Sequence, residues 1–364
     1  MSLLLLILSF LFGIPIGIGS PGVPADAPDT VRPIVAPAAD AAPPPVAEPA
    51  AVAAAAADAA PAMLLPDLVD RLTEVQTVQV VTDRYDMTFT LAGNDWISAD
   101  FFDYPARTDA FSYLFLDLSF LVEFNLLPND PATYAGFGVA DPGAEGGGSR
   151  ITVSTASGET IVDLIVGRPE EAAEGARGGV YIRRLDTGEL WLAAGQATVP
   201  VYPSEWFDPV VDYRIGAIAQ VEILRGETPI LTADKIDATE FTLAFADPAV
   251  APAGAIANSR ALRVLSQGIA STMFDAVRPV EGLTVPADAR TIRFAMTSGL
   301  ELSVTLVPAD GETWVIYAAS APPGSAAVAE AVTLSTRVDG WAFRLPDSRI
   351  TLLDVDPATL VTAP

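Results

Sequence analysis

Carboxylates are the most abundant reactive side chains in this sequence, with 46 Asp and Glu residues against 20 Lys and Arg. The chain contains no His and no Cys. This excludes imidazole catalysis, histidine-activated nucleophiles, thiol redox reactions, disulfides and zinc sites of nitrogen and sulfur ligands. Carboxylates alone could still hydrolyse a glycosidic bond, or bind calcium or magnesium through oxygen.

Two carboxylate pairs are candidates for such chemistry: Glu170 with Glu171, and Asp354 with Asp356. Glycosidic hydrolysis needs two carboxyl groups a few ångströms apart in a cleft. Sequence neighbours in polar loops fit a solvated surface better, and no calcium-loop spacing is present. We therefore predict a protein that is not an enzyme, with no catalytic residues and no metal site.

A glycine-rich loop, GAEGGGSR at 143–150, could in principle hold a phosphate group. Phosphate loops need a Lys and a Ser or Thr at fixed spacing, with a helix directly after them. Here a strand pattern follows, and the only Lys is Lys235. Residues 136–143, GFGVADPG, do not match the dinucleotide fingerprint. We expect a flexible loop and no cofactor.

Two further groups of residues are candidate binding sites. Arg183 and Arg184 end a strand-like run, and two guanidinium groups could hold a carboxylate or phosphate; the alternative is that they pair with nearby acids. Four aromatic residues crowd the segment VYPSEWFDPVVDY, and they could form an exposed patch for a partner protein. The alternative for that segment is a packed linker. The four are Tyr202, Trp206, Phe207 and Tyr213.

The pattern of strands and helices that positions these residues occurs twice along the chain. RITVSTASGETIVDLIVG (150–167) and RTIRFAMTSGLELSVTLVP (290–308) are both apolar strand pairs, turning at Ser157-Gly158 and Ser298-Gly299. In the first half they follow strands at 75–83 and 87–96 and a helix within 106–124, whose apolar residues we expect to be covered on more than one side. Strands at 179–184 and 189–194 come after them.

The second half repeats this order, with strands at 219–226, 229–235 and 240–245 and a helix capped by Asn258-Ser259. Strands at 312–320 and 340–345 complete it. The alternative is coincidence, because Ser-Gly hairpins are common. We predict an α+β fold of two similar lobes from an internal duplication, each a mainly antiparallel sheet covered by a helix. The lobes would span 63–205 and 206–364.

The amino terminus differs from the rest of the chain. Residues 1–20 are almost wholly apolar and could be a cleaved signal peptide or a transmembrane anchor. Residues 21–62 are rich in Ala and Pro and read as a disordered linker. Both interpretations place the globular part outside the cytoplasm, with membrane contact through the N-terminal segment only. The net charge of −26 disfavours nucleic acid and anionic lipid as partners.

Several segments, in their order along the chain, resemble the bacterial "domain of unknown function 4340" family across roughly residues 64–355. They are LLPDLVDRLTEVQTVQVV, NDW, YPARTDAFSYLFLDLSFLVEF, DPATYAGFGVADP, ITVSTASGETIVDLIVGR, GVYIRR and WFDPVVDYRIGAIAQVEI. The resemblance implies an amino-terminal membrane segment and association with auxiliary ABC transporters of gliding motility and related exporters. It supplies no catalytic residues. The chain departs from the family in lacking basic residues before its apolar start.

Together these observations predict a non-enzymatic protein of the cell envelope, on the periplasmic side of the inner membrane, anchored there or secreted if the N-terminal segment is cleaved. It would be an accessory or scaffolding component of an ABC-type transport complex, with permease and ATPase subunits as partners. A second hypothesis is a periplasmic ligand-binding module that uses the cleft between the lobes. A third is a hydrolase that uses carboxylates alone.

Overall fold

Two large antiparallel sheets make up most of the fold. The computed structural model describes residues 62–170 and 178–363. The predicted signal or anchor at 1–20, and all of the linker except its last residue, lie outside the described residues. Within the described ranges, no helix is long and apolar enough to cross a membrane. The predicted α+β class is confirmed.

Among residues 62–170 and 178–363, the first sheet has nine strands in the order β4-β3-β2-β1-β6-β7-β8-β9-β5. The alternating burial of β1, with Val78 and Val80 fully buried, reflects the alternating apolar pattern of its sequence. The predicted hairpin at Ser157-Gly158 joins β6 to β7. The strands are β1 (Val75–Val81), β2 (Asp86–Ala92), β3 (Asp95–Ser98), β4 (Tyr104–Pro105), β5 (Val122–Leu127), β6 (Ser149–Thr155), β7 (Thr160–Glu170), β8 (Gly179–Arg184) and β9 (Leu190–Ala194).

The second sheet has eight strands in the order β12-β11-β10-β15-β16-β17-β18-β14. Its hairpin at Ser298-Gly299 joins β15 to β16, again as predicted. A separate two-stranded sheet pairs β13 with β19. The strands are β10 (Ile218–Arg225), β11 (Thr228–Lys235), β12 (Phe241–Ala246), β13 (Ile256–Ala257), β14 (Ala276–Pro279), β15 (Arg290–Met296), β16 (Glu301–Ala309), β17 (Glu312–Ser320), β18 (Trp341–Arg344) and β19 (Val361–Thr362).

In the described part of the chain, six α-helices accompany the sheets: α1 (Leu68–Arg71), α2 (Thr108–Ser119), α3 (Tyr134–Phe137), α4 (Ser259–Ser266), α5 (Val328–Val338) and α6 (Asp347–Leu353). The Asn258 side chain caps α4 by accepting a hydrogen bond from the Ala261 amide at 3.2 Å, as predicted. Helix α5, which the sequence analysis did not predict, lies between β17 and β18 and buries Leu334 and Val338.

Helix α2 is shorter than its apolar pattern suggests. Its buried residues include Phe111 and Leu114, which face the first sheet, but it ends at Ser119. The chain then turns back as β5, which pairs with β9 at the sheet edge. Phe120 and Phe124 are more than half exposed there, so the expectation that the apolar residues of this run are covered on several sides is wrong.

One continuous apolar core runs through both sheets. Where the sheets meet, the core is aromatic: the Tyr104 ring from β4 packs edge-on against Phe274, Trp341 and Phe343, with ring centroids 5.2 to 5.6 Å apart. Such edge-to-face contacts hold rings at fixed angles, beyond the benefit of burying their area. The two halves of the chain therefore meet at a tightly packed boundary.

Candidate functional site

The four aromatic residues of the predicted patch do not lie together on the surface. Trp206 and Phe207 are completely buried. The Trp206 ring lies 5.0 Å from Phe89 and 5.0 Å from Phe111, between the sheet and α2. Neither residue can contribute to an exposed partner surface, and the alternative, a packed linker, describes both. Large aromatic side chains gain most from burial, and this linker runs where the two halves pack.

The other two aromatic residues of that segment lie apart from this core. Tyr202 is 51% exposed, and the guanidinium of Arg84 lies 5.0 Å above its ring. Tyr213 is half-buried, and its hydroxyl donates to a Glu330 carboxylate oxygen at 2.9 Å. Burial, together with that carboxylate, raises the pKa of Tyr213. The four residues therefore form no common surface.

Arg183 and Arg184 are each paired with an acid, as the alternative interpretation had it. The buried Arg183 side chain pairs with Asp141, and its guanidinium lies 4.4 Å above the Tyr134 ring. Arg184 pairs with Asp186 at 2.6 Å. Neighbouring residues of a strand point to opposite faces of the sheet, so the two guanidinium groups do not converge on one anion.

The glycine-rich loop has a packing role. A Cβ atom at Gly146 would lie 2.4 Å from the Ala135 carbonyl oxygen, and one at Gly148 would lie 2.4 Å from the Val166 carbonyl oxygen. Both distances are far below van der Waals contact, so only glycine fits. Strand β6 follows the loop at Ser149. The glycines thus let the loop lie directly against α3 and β7.

The three described members of the carboxylate pairs, Glu170, Asp354 and Asp356, do not line the cavity between the two halves of the chain. Glu170 is exposed at the end of β7, and Glu171 lies outside the described residues. Asp354 pairs with Arg290 at 2.5 Å, and Asp356 accepts a hydrogen bond from the Ala358 amide at 3.0 Å. Among the residues that the structure describes, no cluster of three or more acids could hold a metal ion.

A cavity of about 710 Å³ lies between the two halves of the molecule. Its walls come from β3, β4 and the start of α2 on one side, and from α5 and β18 on the other. The sequence analysis named a cleft between the lobes but none of the residues that line it. They are Asp95, Asp103, Tyr104, Pro105, Ala106, Arg107, Thr108, Asp109, Asp208, Thr333, Thr336, Arg337 and Trp341.

Charges of both signs line this cavity. Arg107 is paired with Asp109 at 2.7 Å. Arg337 donates from Nη1 to the Pro209 carbonyl oxygen at 2.9 Å, and no carboxylate of the described residues forms an ion pair with it. Asp208 and Asp103 are exposed and also form no ion pair within the described chain. The cavity therefore offers both a guanidinium group and carboxylates to a ligand.

Tyr104 is the most deeply buried polar residue of the cavity wall, at 3% exposure. Burial raises the pKa of the Tyr104 hydroxyl. The positive charge of Arg337 lowers this pKa and the negative charge of Asp208 raises it, so both groups lie close enough to act on the hydroxyl. It therefore stays protonated. No hydrogen-bond partner for this hydroxyl occurs in the described part of the chain, and its oxygen is not one of the buried atoms left unpaired there, so the hydroxyl is open to the cavity.

Compared with protein-family models, with curated proteins and with solved structures, the chain shows no match. The family resemblance of its segments therefore stays a prediction.

Proposed function

We propose that this protein is a non-enzymatic binding protein that holds a small zwitterionic ligand between its two halves. The observation that supports this is the meeting of Tyr104 and Arg337 at one cavity. One residue comes from the first half and one from the second, and each presents a hydrogen-bond donor that the described chain leaves unused. Donors converging in a concave site of this size are typical of ligand pockets.

The charges suggest the chemical class of the ligand. An anionic group, such as a carboxylate, would bind the Arg337 guanidinium and the Tyr104 hydroxyl. A cationic group would face Asp208 and Asp103, which line the same cavity. A purely anionic ligand would meet these carboxylates, and a purely cationic one would leave Arg337 unsatisfied. Free amino acids and short peptides carry both groups.

Isothermal titration calorimetry with glycine, glutamate, succinate and putrescine tests this proposal. Glutamate or glycine should bind, and Arg337→Gln should weaken binding at least tenfold, because a hydrogen bond to a charged group contributes about 1.5–3 kcal/mol. Tyr104→Phe should weaken it less. Arg349→Gln is a matched control, because Arg349 also donates to a backbone carbonyl, that of Gln267, and does not line the cavity.

Two results would contradict this function. One is the absence of binding for both glycine and glutamate, whether or not succinate or putrescine binds. The other is equal weakening by Arg337→Gln and Arg349→Gln, which would assign the effect to general stability and not to the cavity.

The two halves, in this proposal, descend from one duplicated unit. Without its edge strand β4, the first sheet has the spatial order β3-β2-β1-β6-β7-β8-β9-β5, and the second sheet has the order β12-β11-β10-β15-β16-β17-β18-β14. The two orders correspond strand by strand: β1 corresponds to β10, β6 corresponds to β15, and β5 corresponds to β14. The Ser157-Gly158 and Ser298-Gly299 turns join equivalent strands. Superposing the sheets should align Gly158 with Gly299. A superposition that aligned different strand pairs would favour coincidence.

A second candidate function is an accessory role in an ABC-type transport complex of the envelope. The apolar residues 1–20 and the Ala/Pro-rich residues 21–62 support it, because such segments tether a domain at a distance from a membrane. Cross-linking of the full-length protein in its native membranes, followed by mass spectrometry, should recover permease and ATPase subunits. Recovery of the protein alone, in the soluble envelope fraction, would contradict this role.

A further inference from the structure

Negative charge predominates on the walls of the cavity between the two halves of the chain. Four Asp and two Arg residues line it. Arg107 and Asp109 pair with each other at 2.7 Å, which leaves three carboxylates for the other guanidinium group of the lining, that of Arg337. The three carboxylates belong to Asp95, Asp103 and Asp208, which are all exposed. A ligand that balances these charges therefore carries more cationic than anionic groups.

The Tyr104 hydroxyl marks where the anionic end of such a ligand binds. Tyr104 is 3% exposed, and its hydroxyl opens to the cavity. This hydroxyl lies within the electrostatic reach of both Arg337 and Asp208. A carboxylate that enters the cavity can accept hydrogen bonds from the hydroxyl and the guanidinium together, while an ammonium group on the neighbouring carbon faces Asp208. An α-amino acid carries its two charges in this arrangement.

The start of helix α2 adds further donors for the carboxylate. Thr108 and Asp109, the first two residues of this 12-residue helix, line the cavity. Their amides have no acceptor within the helix, because the first amides of an α-helix lack a preceding turn. The side chain of Arg107, at the N-cap position, makes no capping hydrogen bond to them. Amides at the positive end of a helix favour a carboxylate.

Asp103 lies away from this end of the cavity. It precedes Tyr104 in the chain, whereas α2 begins after Tyr104 and Pro105 of the extended strand β4. A strand rises about 3.3 Å per residue, so the backbone of Asp103 lies up to about 16 Å from that of Thr108. The Asp103 amide donates to the Ser98 carbonyl oxygen at 2.9 Å, which holds it beside β3. A ligand that places a carboxylate at α2 and a cation at Asp103 therefore needs a long side chain.

We propose that the ligand is an amino acid with a long cationic side chain, of the class of lysine, ornithine and arginine. Its carboxylate binds Arg337, Tyr104 and the start of α2. Its α-ammonium group faces Asp208, and its side-chain cation faces Asp103. The inference rests on the proposed function and adds the class of ligand. The net charge of the whole chain, −26, attracts a ligand with an excess positive charge.

Isothermal titration calorimetry of the full chain with lysine and norleucine tests this class. Norleucine has the carbon skeleton of lysine and lacks only the side-chain ammonium group. Lysine should bind at least about fivefold more tightly, an effect between that of an exposed ion pair and that of a hydrogen bond to a charged group. Asp103→Asn should reduce this preference at least about threefold. Asn adopts the left-handed backbone conformation of Asp103, with φ 61°, as Asp does, so the variant changes the charge and keeps the backbone.

Asp310→Asn is the matched control. Asp310 is also an exposed Asp in a left-handed conformation, with φ 56°, and it does not line the cavity. Its ion pair with Arg278, at 3.0 Å, lies outside the cavity lining. The preference for lysine over norleucine should therefore be the same in Asp310→Asn as in the unmodified protein.

Two results would overturn the inference alone. Equal affinities for lysine and norleucine, with glycine or glutamate bound, would leave the proposed function standing and remove the cationic class. An undiminished preference for lysine in Asp103→Asn would show that this carboxylate does not face the side chain of the ligand. If lysine, norleucine, glycine and glutamate all fail to bind, the inference and the proposed function are both wrong.

Discussion

The indole Nε1 of Trp206 donates a hydrogen bond to the hydroxyl of Tyr85 at 3.1 Å. The same hydroxyl donates to the Pro200 carbonyl oxygen at 2.6 Å. Tyr85 lies between β1 and β2, whereas Pro200 and Trp206 belong to the segment that connects the two sheets. One phenol thus attaches the connecting segment to the first sheet at two points, Pro200 and Trp206, and it pairs with the only polar side-chain atom of a completely buried indole.

Replacing Tyr85 by Phe should destabilise the fold by about 1–3 kcal/mol, because the indole N–H of Trp206 is then buried without a partner. Urea unfolding would measure this as a lower midpoint with an unchanged slope. Tyr202→Phe is the control, since the exposed Tyr202 hydroxyl has no such role. Equal stability of the two variants would refute the importance of this hydrogen bond.

The fold should lose stability at alkaline pH. Burial raises the pKa of Tyr85 from 10.0 to about 12. The folded state therefore binds this proton more tightly than the unfolded state does, so the contribution is complete below pH 10 and is lost as the pH rises toward 12. Urea unfolding at a series of pH values should show this decline, and Tyr85→Phe should make it shallower. An identical decline in the variant would assign the effect to other groups.

Trp206 should matter for stability and Tyr202 should not, although both belong to the aromatic segment that the sequence suggests as a partner surface. Trp206→Ala should cost about 3–5 kcal/mol, as expected for a large buried aromatic side chain. Tyr202→Ala should change stability by less than about 0.5 kcal/mol, as for most exposed positions. A small effect of Trp206→Ala in thermal or urea unfolding would contradict the burial of its side chain.

The sheets were largely predictable because strands carry a local signal. Alternating apolar residues and Ser-Gly turns lie next to each other in sequence, so both hairpins and most strands appear where the pattern indicates them. Strand β5 was missed because the apolar spacing of α2 continues through Phe120 and Phe124. Helix α5 was missed because its residues, VAEAVTLSTRV, mix helix-favouring Ala with β-branched Val and Thr.

The cavity could not be predicted from local patterns. Tyr104 and Arg337 lie at distant points of the chain, and only the packing of the two halves brings them together. The burial of Trp206 could not be predicted either, because a tryptophan among prolines is equally compatible with an exposed binding residue and with a buried core residue. The pairing of Arg183 with Asp141 likewise depends on how the glycine-rich loop folds back.

The packing of the glycine-rich loop can be tested by comparing Gly148, which is crowded, with Gly136, which is not. A Cβ atom at Gly148 would lie 2.4 Å from the Val166 carbonyl oxygen and 2.5 Å from that of Gly138, both parts of the backbone that cannot rotate away. Gly148→Ala should therefore destabilise the fold by about 1–3 kcal/mol. Gly136, in helix α3, has open space around its Cβ position, so Gly136→Ala should stabilise by up to about 1 kcal/mol. Thermal unfolding of the two variants should shift in opposite directions, and an unchanged or raised unfolding temperature of Gly148→Ala would mean that the loop does not pack against β7 as described.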